Sequence, residues 1–280
     1  MTRLVALLGS LAVASFVAIP ARADQLHEIK AKKSMVCGTF AAIEPFGFPD
    51  AQTRQTVGYD VDLCKAVAAE LGVEMVHRGL TVEARIPELN LGHVDILIAN
   101  LAYTKTRAQQ VDFSDAYHVL TEVVSVTTES GITKLDQLQG KKISATKGST
   151  SEQAIRIRIP QAIPVAFQDA APAFLALQQG KVDGFSINNV TTAKFVRLSL
   201  QSGKPVHVIE EPTLLEPMGV GVRKGEPALL AEVNSILAKL EKTGELQRIW
   251  DKWLGPKTVY GLQRTYKVTP FADLKFEPLP

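Results

Sequence analysis

Cysteine is nearly absent from this chain: Cys37 and Cys64 are the only two in 280 residues. No CxxC spacing occurs, and the five histidines (His27, His77, His93, His118 and His207) are scattered, which argues against a structural zinc site. In an oxidising compartment an even pair can form a disulfide. The other reading, toward which the sequence leans, is two small apolar thiols buried in the hydrophobic periodic segments that hold them. An excess of one charge is lacking as well. The formal charge of +2 includes Arg3 and Arg22, both in an expected leader; without them 29 basic residues face 29 acidic ones. A neutral chain offers no concentrated basic face for phosphates, which sets nucleic acid aside. Glycine (19) and proline (15) are in ordinary supply, with 46% hydrophobic and 21% charged residues, which excludes collagen-like, low-complexity and disordered classes. Missing too are G-x-S-x-G, H-E-x-x-H, G-x-G-x-x-G and the P-loop spacing, so no catalytic machinery, metal or cofactor is expected.

What is present begins with an address. Arg3 precedes an apolar run of 16 residues, Leu4 to Ile19, which breaks at Pro20 and closes on Ala21-Arg22-Ala23. A charged, then apolar, then small-x-small layout is that of a secretory signal peptide, with cleavage after Ala23. A membrane-spanning helix wants ~20 apolar residues, so an anchor fits less well. Asp24 rather than a cysteine follows, so nothing suggests a lipid anchor. Residues 24–280 are therefore expected to be a soluble exported product.

That length suits two domains at roughly 100–200 residues each. Short apolar runs (Val36–Phe40, Val73–Val76, Val94–Ile98) alternate with helical patterns, such as the face Leu63, Cys64, Val67, Ala68 and Leu71 closed by Gly72. The rhythm predicts an α/β fold with largely parallel sheets. An internal echo suggests two lobes of like architecture: Gly92-His93-Val94-Asp95 through Asn100 resembles Gly180-Lys181-Val182-Asp183 through Asn188. Ligands of parallel α/β sheets bind beyond the carboxyl ends of strands, which nominates Asn100 and Asn188, one per lobe; starting a loop is the plainer role for each. Two extended stretches, Val119–Thr127 and Met218–Val222, are expected to cross between lobes and form a hinge. The expected division is residues 24–117 with 219–280 as lobe 1, 118–123 with 214–218 as hinge, and 124–213 as lobe 2. Leu229, Leu230, Val233, Ile236, Leu237 and Leu240 make a core-facing helical stripe after Pro227. Residues 258–280 alternate weakly and give no pattern.

Arg107, on a short helical turn after a strand end, is placed to fork onto a carboxylate, or else to pair with Asp112 or Asp115 on the surface. Gly148-Ser149-Thr150-Ser151-Glu152 opens a helix whose free amides suit an anion, while Ser149 and Glu152 also form a capping box. Among carboxylates only Glu152 falls at an expected strand-end site; the others read as solvated faces or loops.

Several segments resemble the bacterial extracellular solute-binding proteins of family 3, the amino-acid class. They are Gly58-Tyr59-Asp60-Val61-Asp62-Leu63, Ile86-Pro87-Glu88-Leu89, Thr104-x-x-Arg107, Val111-Asp112-Phe113-Ser114-Asp115-x-Tyr117, Lys147-Gly148-Ser149-Thr150-Ser151 and Gly244-x-Leu246-x-x-Ile249-x-x-x-Trp253-Leu254-Gly255. The resemblance runs in order from about Val36 to Gly255. It implies a two-lobed periplasmic-binding-protein fold, two doubly wound lobes joined by two hinge strands. It also implies a monomeric periplasmic receptor that closes on an amino acid or related small carboxylate and delivers it to the membrane permease of an ABC transporter. By the same resemblance Arg107 grips the ligand carboxylate with Thr150 and the backbone at Ser149, and Asn100 contacts the ligand from lobe 1. Four positions depart from the family pattern: Ala102 stands for a hydroxyl, Asn188 for an aspartate that pairs with the ligand ammonium, and Val82 and Ile43 for aromatics, whereas Phe46 is kept. Losing the acid at 188 removes a charge-assisted bond of ~1.5–3 kcal/mol, so either another acid compensates or the ligand lacks a free α-amine. Aliphatic walls disfavour stacking a guanidinium, which makes arginine a poor candidate. Two other functions share the scaffold. One is cyclohexadienyl (prephenate or arogenate) dehydratase, whose catalytic glutamate lies in a Gly-x-Thr-x-Glu segment that Gly148–Glu152 fits. The other is a ligand-sensing protein.

Overall fold

The computed structural model describes residues 24–280; the expected leader and its cleavage site lie outside the described residues. Asp24 starts the first helix, α1 (Gln25–Lys32), by accepting the Leu26 amide at 3.1 Å. Strand β1 (Ser34–Phe40), a two-residue ribbon β2 (Phe48–Pro49) with β3 (Thr56–Val57), and helix α2 (Tyr59–Leu71) follow. Gly72 ends α2 at φ +70°, where its amide reaches the Ala68 and Ala69 carbonyls, a position that favours glycine. Then come β4 (Glu74–Leu80), α3 (Arg85–Asn90), β5 (Ile96–Leu97) and α4 (Lys105–Gln110). β1 pairs in parallel with both β4 and β5, as the βαβ rhythm requires.

The second half has the same grammar. The long strand β6 (Val111–Thr127) leads into β7 (Lys142–Thr146), α5 (Thr150–Arg158), β8 (Ile163–Phe167), α6 (Ala170–Gln178), β9 (Gly184–Asn188), α7 (Asn189–Gln201) and β10 (Val206–Val208). β7 lies parallel between β8 and β9. The echo seen in the sequence has one mechanical meaning in both halves. The Asp95 carboxylate accepts the Val36 amide at the start of β1, and the Asp183 carboxylate accepts the Lys142 amide at the start of β7, each at 2.8 Å. The backbone bond returns in both cases, from Asp95 to Val36 and from Asp183 to Lys142.

Strand β11 (Leu214–Arg223) runs antiparallel to both β5 and β6, giving the order β4-β1-β5-β11-β6-β9-β7-β8, with β10 also on β6. β6 starts at Val111 rather than near Val119. Asp112, Ser114 and Asp115 disguise its first turns as loop, yet residues 111–120 hydrogen-bond along β11. Glu122 is where β6 changes company: it stands opposite Leu214 of β11 on one side and Asn188 of β9 on the other.

Helix α8 (Pro227–Lys242) buries Leu229, Val233, Ile236, Leu237 and Leu240, and α9 (Glu245–Trp253) buries Leu246, Ile249 and Trp250. Leu230, counted in the expected stripe, packs only partly buried at its edge. Separate cores result. One gathers Tyr59, Leu63, Ile96, Leu237 and Trp250; the other half is filled by Ile143 and Ile155 on one sheet face and by Phe174, Phe185 and Phe195 on the opposite face.

Cys37 of β1 and Cys64 of α2 are bonded, with Cα atoms 6.1 Å apart, which overturns the leaning toward free thiols. Both are buried in periodic apolar positions, as read, but a helix laid on its own preceding strand brings those positions into bridging range. The patternless tail also has a place. Arg264 forks onto Glu241 of α8 at 2.9 and 2.5 Å, Thr269 exchanges backbone bonds with Ala116, and Phe271 packs on Tyr103. Among the described residues no helix is long and apolar enough to cross a membrane.

Candidate functional site between the lobes

At the carboxyl ends of the parallel strands the halves face each other across a hollow of about 420 Å³ of atom-free space, partly open to solvent. Phe40, Ile43, Val82, Arg85 and Asn100 form the first-half wall, and Thr146, Ser149, Thr150, Ser151, Ile187 and Asn188 the opposite one. Glu122 of β6 and Glu216 of β11 make the floor.

The second-half wall is rich in hydrogen-bond donors. Ser149 precedes α5 and its hydroxyl accepts the Glu152 amide at 3.3 Å, so the amide-bearing helix end with Thr150 and Ser151 is presented to the hollow. Gly148, at φ +72°, turns the chain there close to Glu83 of the other half. Asn188 caps α7: its Oδ1 accepts the Thr191 amide at 2.9 Å, which leaves its NH₂, a donor, for the hollow. Glu152 is outside this lining. Its Oε2 takes the Gly148 amide at 3.4 Å and its Oε1 the Arg156 guanidinium at 3.1 Å, so it serves the cap.

The first-half wall carries a pinned positive charge. Arg85 donates to the carbonyls of Val82 (2.9 Å), Ala99 (2.9 Å) and Asn100 (3.1 Å), and lies over the Phe40 ring at 5.1 Å. Burial, with Arg107 nearby, lowers its pKa to about 9 against the pull of Glu216 and Asp60. Asn100 holds φ +46°, a left-handed conformation that asparagine tolerates and that is often found at binding sites. Arg107 lies just behind the hollow. Thr104 caps its helix, and its guanidinium donates to Ala102 at 2.9 Å and, across the gap, to Gly148 at 3.1 Å. Burial lowers its pKa too, opposed by Glu216 and Glu122.

Of the residues singled out from sequence, Asn100, Ser149, Thr150, Asn188, Val82 and Ile43 share the hollow. Arg107 and Ala102 are joined to each other one layer back, and Phe46 is wholly buried in the first-half core. Arg107 thus forms a direct bolt to the turn before Ser149 rather than a wall of the cavity. The reading of all acids but Glu152 as solvated or loop is wrong. Glu122 and Glu216 are each 2% exposed, at the floor. Their signal was present: each is a lone charge inside an apolar extended run, Thr121-Glu122-Val123-Val124 and Leu215-Glu216-Pro217-Met218, where a charge is unusual unless used. Arg85 carried no such mark: Glu83 and Glu88 stand close by and it opens helix α3.

Two ion pairs cross the rim, Lys147 to Glu83 at 2.8 Å and Lys194 to Glu44 at 3.0 Å. Among the described residues no group of three or more His, Cys, Asp or Glu side chains is placed to hold a metal.

The model of bacterial extracellular solute-binding proteins, family 3, matches residues 35–256. The ABC transporter glutamine-binding protein GlnH of Bacillus subtilis (strain 168) is 32% identical over 235 residues, 82% of this chain and 85% of that protein. Among solved structures, the ancestral amino-acid-binding protein AncCDT-1, a precursor of cyclohexadienyl dehydratase, superposes with a TM-score of 0.75 at 32% identity, covering 82% of this chain and 99% of that one. An ancestral arginine-binding protein bound to arginine gives 0.73 at 34% identity, covering 80% and 99%.

Proposed function

The chain belongs to the bacterial extracellular solute-binding proteins, family 3, and from that premise we propose that it captures an amino acid between its lobes for an ABC permease. It has the two-lobed periplasmic-binding-protein fold of its structural neighbours. The observation that carries the reading is the hollow itself, bounded by a helix end rich in donors on one side and by buried acids on its floor, with both hinge strands contributing to it.

We divide the chain into lobe 1 (24–117 and 219–280), hinge (118–123 and 214–218) and lobe 2 (124–213). A solute carboxylate is received by the α5 amides, Ser149 and Thr150, with Arg107 behind them supplying positive potential; Asn100, Val82 and Ile43 contact it from lobe 1 and Asn188 from lobe 2. Closure turns on β6 and β11, and the closed form is what the permease reads. The receptor acts as a monomer in the periplasm, reached through a leader cleaved after Ala23. No reaction is assigned to it: Glu152, the residue a dehydratase would use, is committed to its helix cap.

A melting-shift screen over amino acids and small carboxylates tests the reading, because a solute bound only by the folded chain raises Tm with its concentration. At least one amino acid is expected to do so; silence across the whole panel would overturn the proposal. Incubation with prephenate or arogenate is expected to yield no aromatic product.

A further inference from the structure

Glu122 and Glu216 are buried with one carboxylate oxygen of each left unsatisfied. Glu122 Oε2 and Glu216 Oε1 have no hydrogen-bond partner within the chain, in a fold where such groups are normally satisfied. The register explains why they meet. Leu214 stands opposite Glu122 and Glu216 opposite Leu120, so the two acids are diagonal neighbours on one face of adjacent antiparallel strands.

A purely structural role would pair them with the neighbouring arginines, but both guanidiniums are engaged elsewhere. Arg85 is spent on the carbonyls of Val82, Ala99 and Asn100, and Arg107 on those of Ala102 and Gly148. Neither acid forms an ion pair with either arginine. The groups facing the pair are thus Arg85 from α3 and Arg107 from α4 at a distance, the Ser151 hydroxyl from α5, and the Asn188 amide from β9, opposite Glu122. Desolvation and the facing Glu216 push the Glu122 carboxyl well above its ordinary range, and Ser151 and Arg107 only partly oppose this. An uncompensated buried acid of this kind is costly to keep, and the side on which it is open is the hollow.

We propose that Glu122 and Glu216 together form the receptor for a cationic group of the solute, an ammonium or guanidinium. Because burial raises the Glu122 carboxyl, a proton held there in the empty hollow leaves to solvent as the cation arrives. This rests on the reading of the chain as a solute receptor and narrows its substrate class. The solute carries a protonated nitrogen that reaches the floor while its carboxylate meets the α5 amides. Amine-free carboxylates, the alternative that Asn188 raised, are disfavoured, and a basic side chain is no longer a liability. Neutral Asn188, whose oxygen already accepts the Thr191 amide, brings no negative charge to a cation; the strand beside it supplies the acid instead.

Melting shifts of the wild-type chain against the twenty common amino acids and the amine-free acids succinate, glutarate and glutaramate form the first arm. Shifts confined to amine-bearing probes support the pair. Equal shifts from amine-free acids overturn this inference and leave the receptor reading standing, and no shift from any probe overturns both. In the second arm the best amine-bearing probe is titrated by calorimetry in phosphate and in Tris against wild type, E122Q and E216Q. Wild type is expected to release up to one proton per probe bound; each variant loses affinity by tenfold or more, and E122Q loses the buffer dependence. Affinities within threefold of wild type, with proton release unchanged, would overturn the assignment. Both variants are isosteric, and a raised melting temperature of empty E122Q shows that lost binding is not lost folding. Should one variant fail to fold, the other reads the same pair.

Discussion

The two lobes share one architecture but are held together differently. Lobe 1 is cross-braced. A disulfide ties β1 to α2, the tail is forked to α8 through Arg264 and Glu241, and Tyr59 packs among Tyr117, His118 and Trp250. Lobe 2 has no covalent brace among the described residues and relies on a cluster of Phe174, Phe185 and Phe195 with ring centroids 4.7 to 5.7 Å apart. The polar side of the hollow follows the same division. Lobe 1 presents an arginine fixed by three carbonyls, while lobe 2 presents helix ends made by ordinary capping. A stiff platform and a lighter jaw can thus be built from one βαβ grammar.

The difference can be broken from either side. Both tryptophans, Trp250 and Trp253, lie in α9 of lobe 1, so their fluorescence follows that lobe while far-UV dichroism follows both. The largest effect is expected from Phe185→Ala, at about 3–5 kcal/mol, because the ring is fully buried against two others. Urea unfolding should show it as an early transition in dichroism that tryptophan does not follow. Replacing Cys37 and Cys64 by alanine opens a loop spanning a separation of 27 residues and should cost about 3–4 kcal/mol, this time in the tryptophan transition.

Acid should weaken lobe 1 next. Burial, helped by Arg264, pushes the His118 imidazole down to about 3, so the folded chain keeps it neutral where the unfolded chain, near 6.5, takes a proton. That stability is present above about pH 6.5 and is lost as pH falls, at up to ~1.4 kcal/mol per pH unit; H118F should flatten the slope in denaturant titrations from pH 7 to 5. Glu122 works in the opposite sense. Raised in the fold, it contributes a loss of stability as pH climbs above its ordinary value near 4.5, and E122Q should remove that decline. The smallest effect belongs to the rim: Lys194→Ala should change stability by no more than ~1 kcal/mol and solute affinity by less than threefold, because its pair with Glu44 is partly exposed.

The legible part of the molecule was what repeats. Gly92 to Asn100 and Gly180 to Asn188 gave two lobes and two cavity-lining asparagines because in each the same aspartate-to-amide tie joins the incoming strand to the start of its parallel neighbour. The Ser149 cap of α5 and the apolar stripe of α8 were equally readable, since their partners are local, although the box is only half made: Glu152 takes the Gly148 amide in place of that of Ser149. What escaped depends on residues far apart. The Cys37–Cys64 bond needs the packing of α2 on β1. The meeting of Glu122 and Glu216 needs β6 and β11 in register across a separation of 94 residues. The tail, with little pattern of its own, is set by Glu241, Ala116 and Tyr103 along lobe 1. Arg107 was singled out by its spacing, but the carbonyls that hold it behind the hollow were not legible.

One of those partners has a dynamic consequence. The bond from Arg107 to the Gly148 carbonyl is a contact between the lobes, so any outward swing of lobe 2 must sever it. Hydrogen bonds to charged groups are worth roughly 1.5–3 kcal/mol, a modest catch that thermal motion can release and remake. Each release bares one N–H of a permanently charged fork at the mouth of the widening gap, so the unlatched molecule advertises a vacant donor that the latched one conceals.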